Sequence, residues 1–106
     1  MRIGFTANHW NDSAGNPAGG ITYGTGFAIS WQNGPLGRGP ERKPPNGAFV
    51  EDVIDAARER IQYYQNSKFA CATNAVAIEH LTAALEALDS RTKDREQREV
   101  EGLHKE

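Results

Sequence analysis

From Val50 to Leu88 the chain reads VEDVIDAARERIQYYQNSKFACATNAVAIEHLTAALEAL, with neither glycine nor proline. The same gap extends from Ala48 to Glu101, and Ala, Glu, Leu and Arg dominate it. Nothing there forces the backbone out of the α region, so the stretch predicts helix. Val50, Val53, Ile54, Ala57, Ile61 and Tyr64 recur at helical spacing and form one apolar stripe. Gln65-Asn66-Ser67-Lys68 is polar and predicts a break, with Ser67 as the cap of a second helix. Cys71, Ile78 and Leu85, with Leu81 and Leu88, form a second stripe on a seven-residue repeat. Two stripes joined by a short polar break predict an antiparallel helical hairpin over residues 46–95. Asn46 is the expected cap of the first helix, and Glu51, Asp52 and Asp55 suit its positive end. Asn74 interrupts the second stripe, seven residues before Leu81, where the repeat asks for an apolar side chain.

Outside the hairpin the chemistry changes. All five prolines and ten of the eleven glycines precede residue 48, so residues 1–45 predict a separate β and loop region. Asn11 to Gly20 is turn chemistry throughout and predicts loop. Ile21–Tyr23 and Phe27–Gln32 predict short strands. In the second, Phe27, Ile29 and Trp31 alternate with Ala28, Ser30 and Gln32. Leu36 to Pro45 predicts an exposed basic loop carrying Arg38, Arg42 and Lys43, and residues 96–106 predict a solvated tail. The expected fold is a single α+β domain, a small antiparallel sheet packed on a long two-helix hairpin. Elements so few bury little apolar surface, which predicts a homo-oligomer.

The 106 residues carry a net charge of −2, which disfavours bulk DNA or RNA binding. No apolar run approaches the ~20 residues of a spanning helix, and the first residues do not read as a signal peptide. One cysteine, Cys71, forms no internal disulfide, so a reducing cytoplasm is expected. Catalytic arrangements fail one by one. Cys71 lies on the apolar stripe without an interpretable histidine, and His9, His80 and His104 are too scattered for a metal. Glu79-His80 reads as a surface pair. Gly24-Thr-Gly-Phe-Ala-Ile lacks the third glycine of a dinucleotide loop, and no glycine loop ends in Gly-Lys-Ser/Thr. The expectation is a protein without catalysis, metal or cofactor.

Three features remain, each with two readings. Tyr64 continues the first stripe as core, or with Tyr63 offers a stacking platform for a base. Asn74 is a register-setting amide, or a hydrogen-bond partner for a ligand's base edge or ribose. Arg91, Lys93, Arg95 and Arg98 pair with the interleaved Asp94, Glu96 and Glu99, or Arg91 clamps a phosphate.

Gly24-Thr-Gly-Phe-Ala-Ile-Ser-Trp-Gln-Asn-Gly-Pro35, followed by Pro45-Asn-Gly-Ala-Phe-Val-Glu-Asp-Val-Ile54, resembles phage Thoeris anti-defence proteins of the first type. Phe69-Ala-Cys-Ala-Thr-Asn-Ala-Val-Ala-Ile-Glu-His-Leu81, with Arg91-Thr-Lys-Asp-Arg95 and Val100-Glu-Gly102, resembles the hairpin they share with the phage anti-CBASS nucleotide sponge. The resemblance implies a homodimer, often grown to a hexamer, in the cytoplasm of an infected bacterium. Such proteins sequester cyclic ADP-ribose isomers made by TIR-domain sensors without degrading them. It implies Tyr64 as the stacking aromatic, Asn74 as the ligand amide and Arg91 as the adenine- or phosphate-facing arginine. Gln32, Asn33 and Arg38 would close over the ligand.

A second site for CBASS cyclic trinucleotides is implied around Arg95, Arg98 and His104. There the family usually reads Arg-Gly-Val-Glu-Gly-Thr-His, and this chain has Glu99 and Leu103 at two of the positions. Two other classes compete with the sponge: an enzyme cleaving the same signal, and a helical oligomerisation adaptor. On one straight helix Asn74 and Arg91 stand about 25 Å apart, so a shared site requires a second subunit.

Overall fold

The computed structural model describes residues 1–98 and is α+β, with a three-stranded antiparallel sheet and two helices. The strands are β1 (Thr6–Asn11), β2 (Pro17–Gly24) and β3 (Phe27–Trp31), in the order β1-β2-β3. A 3-10 turn (Gly39–Glu41) precedes α1 (Val50–Gln65) and α2 (Ala72–Gln97). Met1–Phe49 forms one compact unit and Val50–Gln97 another.

In the first unit, the loop expected from Asn11 to Gly20 contracts to a tight turn. The Asp12 carboxylate accepts the N–H groups of Ala14 (2.9 Å) and Asn16 (3.0 Å), and Gly15 takes the left-handed conformation at φ 85°. Pro17 to Gly20 therefore belongs to β2, which pairs His9 with Gly20 and Thr6 with Tyr23 on one side. On its other side β2 pairs Gly20 with Trp31 and Gly24 with Phe27. The Trp31 indole N–H donates to Thr22 Oγ1 across the strands at 2.8 Å. Gly19 leaves little room for a side chain: a Cβ there would lie 3.0 Å from the Trp10 ring and 3.1 Å from Asn33 Cγ.

Beyond β3 the chain doubles back. Ala48 donates to Ser30 O (2.8 Å) and accepts from Gln32 N–H (3.0 Å), forming a parallel bridge beside Trp31. Asn46 is not the helix cap that the sequence suggests. Its side chain clasps the Asn33 backbone, accepting the N–H at 2.8 Å and donating to the carbonyl at 3.1 Å. The helix begins later, at Val50, because Asn46 and Ala48 are committed to the strand end.

In the second unit, α1 and α2 meet as an antiparallel hairpin. Gln65 meets Cys71 at the turn, and Arg58 meets Thr82 further along (Nη1 to Oγ1, 3.2 Å). Val53, Ile54 and Ile61 of α1 are half-buried, as are Ala77, Ile78, Leu81, Ala84, Leu85 and Leu88 of α2. On α2 their spacing of three and four residues is the expected seam, whereas on α1 Val50 and Ala57 of the expected stripe are exposed. Cys71 departs from expectation: it is exposed, and its Sγ accepts the Asn74 N–H at 3.4 Å, capping α2. Ser67, expected there, instead bonds the Tyr64 carbonyl and closes the end of α1. Glu79 and His80 face solvent.

Among the described residues Leu36, at 9 % exposure, is the single buried apolar side chain. Trp10, Tyr63, Phe69 and Val76 are all exposed.

Candidate ligand site at the turn of the hairpin

The last two turns of α1 carry Arg60, Tyr63 and Tyr64 at spacings of three and four residues, which puts all three on one face. The Arg60 guanidinium lies 4.9 Å from the Tyr63 ring centroid and 4.8 Å from that of Tyr64. Its Nε donates to Tyr64 Oη at 3.2 Å. The two rings meet edge to face, 5.9 Å apart and inclined by 64°. Tyr64 is 39 % exposed, so the stripe does not absorb it as core.

The turn between the helices is built from backbone-directed side chains. Gln65 accepts the Cys71 N–H with Oε1 and donates to the Cys71 carbonyl with Nε2, both at 3.0 Å. Asn74 stands half-buried in the first turn of α2, and its Nδ2 donates to Phe69 O at 3.3 Å. The Lys68 ammonium sits 5.4 Å from the exposed Phe69 ring. Aromatic, amide and cationic groups thus collect at one end of the hairpin.

Beside the start of α1 the character is reversed. Glu51, Asp52, Asp55, Glu86 and Asp89 line an open groove of about 330 Å³, with Arg58, Thr82 and Leu85. Arg58 answers part of that charge through Asp55 at 2.8 Å. Such a groove repels an anion. It contains none of the candidate ligand residues that the sequence suggests. Among the described residues no cluster of histidine, cysteine and carboxylates could hold a metal ion, and no helix is long and apolar enough to cross a membrane.

The remaining predicted residues lie elsewhere. Arg91 is exposed on α2, seventeen residues beyond Asn74 on the same helix, which separates them by about 25 Å. Arg95, half-buried near the end of α2, and Arg98 just after it both engage neighbouring groups, while His104 lies outside the described residues. Gln32, Asn33 and Arg38 belong to the first unit. Gln32 is already committed to structure, accepting the Asn46 N–H at 2.9 Å and donating to Gly34 O at 3.2 Å. Arg38 is half-buried and engaged. Sequence reasoning missed Arg60, although its spacing from Tyr63 and Tyr64 was there to be read.

A strand-end segment leading into a two-helix hairpin defines a class of small hairpin domains. The chain belongs to the family described as Acb2/Tad1, hairpin domain, whose model matches residues 26–93. It is also 45 % identical over 76 residues to Thoeris anti-defense 1 of Bacillus phage SBSphiJ7, a match covering 72 % of this chain and 51 % of that protein. The chain thus spans about half the length of this curated relative. The family match takes in β3, α1 and α2 as far as Lys93, whereas β1, β2 and the end of α2 lie outside it.

Proposed function

We propose that this protein binds a cyclic ADP-ribose isomer and holds it without degrading it, blocking Thoeris immunity in the cytoplasm of an infected bacterium. The observation that carries this reading is the collection of Tyr64, Asn74 and cationic side chains at the turn of a hairpin whose open groove, beside the start of α1, is acidic. A ring receives an adenine face, contributing about 1–3 kcal/mol per stacked base. An amide matches adenine's edge, since it both donates and accepts. Among the described residues Asn74 Oδ1 has no partner and stays available to a ligand. Likeness to Thoeris anti-defense 1 supports the same reading.

Arg91 enters from a second copy of the chain, because no single straight helix brings it to Asn74. The working form is a homo-oligomer, a dimer or hexamer, and the many exposed apolar side chains support self-association. Asn33 and Arg38 contribute closing contacts, with Gln32 shaping their loop. The family resemblance alone extends the proposal to a second site for CBASS cyclic trinucleotides around Arg95, Arg98 and His104, where Glu99 and Leu103 depart from the family's usual residues. Isothermal titration with the purified cyclic ADP-ribose isomer from an activated TIR enzyme tests the reading. Saturable binding is expected, and a flat titration at micromolar protein would overturn it.

A further inference from the structure

We propose that Arg60 recognises the phosphate groups of the ligand whose base stacks on Tyr64, an assignment that rests on the nucleotide reading of this site. Arg60 is an exposed helix residue, yet its guanidinium is held in place. Two tyrosine rings flank it at 4.9 and 4.8 Å, and its Nε is fixed to Tyr64 Oη at 3.2 Å. A free arginine must surrender rotamer entropy before it grips an anion, and this one has surrendered part of it already.

The rest of the guanidinium defines the chemistry. Among the described residues the two Nη groups have no acceptor, so the outer edge of the guanidinium presents N–H donors to solvent. That edge is a planar fork suited to two oxygens of one phosphate or of a diphosphate. The same side chain lies against Tyr64, so anion and base would be read side by side by residues four positions apart on α1. Lys68, in the turn, adds a second positive charge at this end of the hairpin. The carboxylate-lined groove beside the start of α1 disfavours the same anion. Arg60 is thus a specificity residue for the charged part of the ligand. Tyr64 reads the base.

Calorimetry on the full chain with the cyclic ADP-ribose isomer from an activated TIR enzyme tests this, using Arg60→Gln, Arg60→Lys and Tyr64→Ala. Glutamine and lysine keep good helix propensity, and circular dichroism checks that each variant is folded. Arg60→Gln should weaken binding about 10- to 100-fold, the loss expected of charge-assisted hydrogen bonds. It should also flatten the fall in affinity between about 0.05 and 0.5 M NaCl, because the screened charge is gone. Arg60→Lys should retain that salt response while losing affinity. Weakened binding with an unchanged salt response in Arg60→Gln would overturn the proposal and leave Arg60 a mere brace for Tyr64. So would Arg60 variants that bind like the parent while Tyr64→Ala fails, and the nucleotide reading would then survive. Failure of the parent protein to bind at all would instead remove the nucleotide reading itself, and this proposal with it.

Discussion

Asn74 and Arg91 occupy one unbroken helix, α2, at positions seventeen residues apart. At about 1.5 Å per residue the separation is near 25 Å, longer than a nucleotide can bridge from a straight helix. If both touch the same ligand, each site draws on two chains. Mixing Asn74→Ala protein with Arg91→Ala protein should therefore restore some binding from two inactive parents. Demonstrably mixed oligomers that remain inactive would contradict the shared site.

The exposed apolar side chains make a second expectation. Phe5, Trp10, Tyr63, Phe69 and Val76 all face solvent, and Leu36 alone is buried among the described apolar residues. A chain so poor in core needs surface covered by another copy. Light scattering at micromolar concentration should give a mass that is a multiple of 11.6 kDa, and a monomer would contradict this.

A third concerns the hairpin turn. The Gln65 side chain makes two hydrogen bonds to the Cys71 backbone, which makes the turn's geometry depend on one amide. Gln65→Ala should lower stability by about 1–3 kcal/mol, since each such bond is worth roughly 0.5–1.5 kcal/mol. Gln65→Glu, which keeps the acceptor and loses the donor, should fall between. Thermal melts followed by circular dichroism measure both.

The hairpin itself was legible because its signal is periodic: apolar residues at three- and four-residue steps, with no breaker between Ala48 and Glu101. The caps were not. Asn46 has the chemistry of a helix cap, but the same amide also matches a peptide group, and the Asn33 backbone claims it. Cys71 looked apolar by spacing and serves instead as the cap of α2. β1 was invisible for a related reason. Thr6 to Asn11 is exposed along its whole length, and its pairing comes from register with β2 and the Asp12 turn rather than from alternation. The candidate site divided in the same way. Tyr64, Asn74 and Arg91 were visible as residue types in suggestive places, while the role of Arg60 depends on a side-chain arrangement that composition does not announce.

The sheet unit yields a fourth prediction at Gly47. A Cβ there would lie 2.6 Å from the Trp31 carbonyl carbon and oxygen, both backbone atoms that cannot swing aside. Gly47→Ala should force the Trp31–Ala48 bridge apart and cost about 1–3 kcal/mol, the usual range for overpacking. Tryptophan fluorescence during urea unfolding should report an earlier transition; an unchanged midpoint would contradict the close approach.

The claim that the ligand is held and not consumed is tested most directly by recovering it. The protein is incubated with the cyclic ADP-ribose isomer from an activated TIR enzyme, freed of unbound nucleotide, heat-denatured and extracted for mass spectrometry. Intact cyclic isomer is expected in the extract, in proportion to the binding sites, with no ADP-ribose formed over time. Linear ADP-ribose accumulating beyond one equivalent per site would contradict sequestration and identify an enzyme instead.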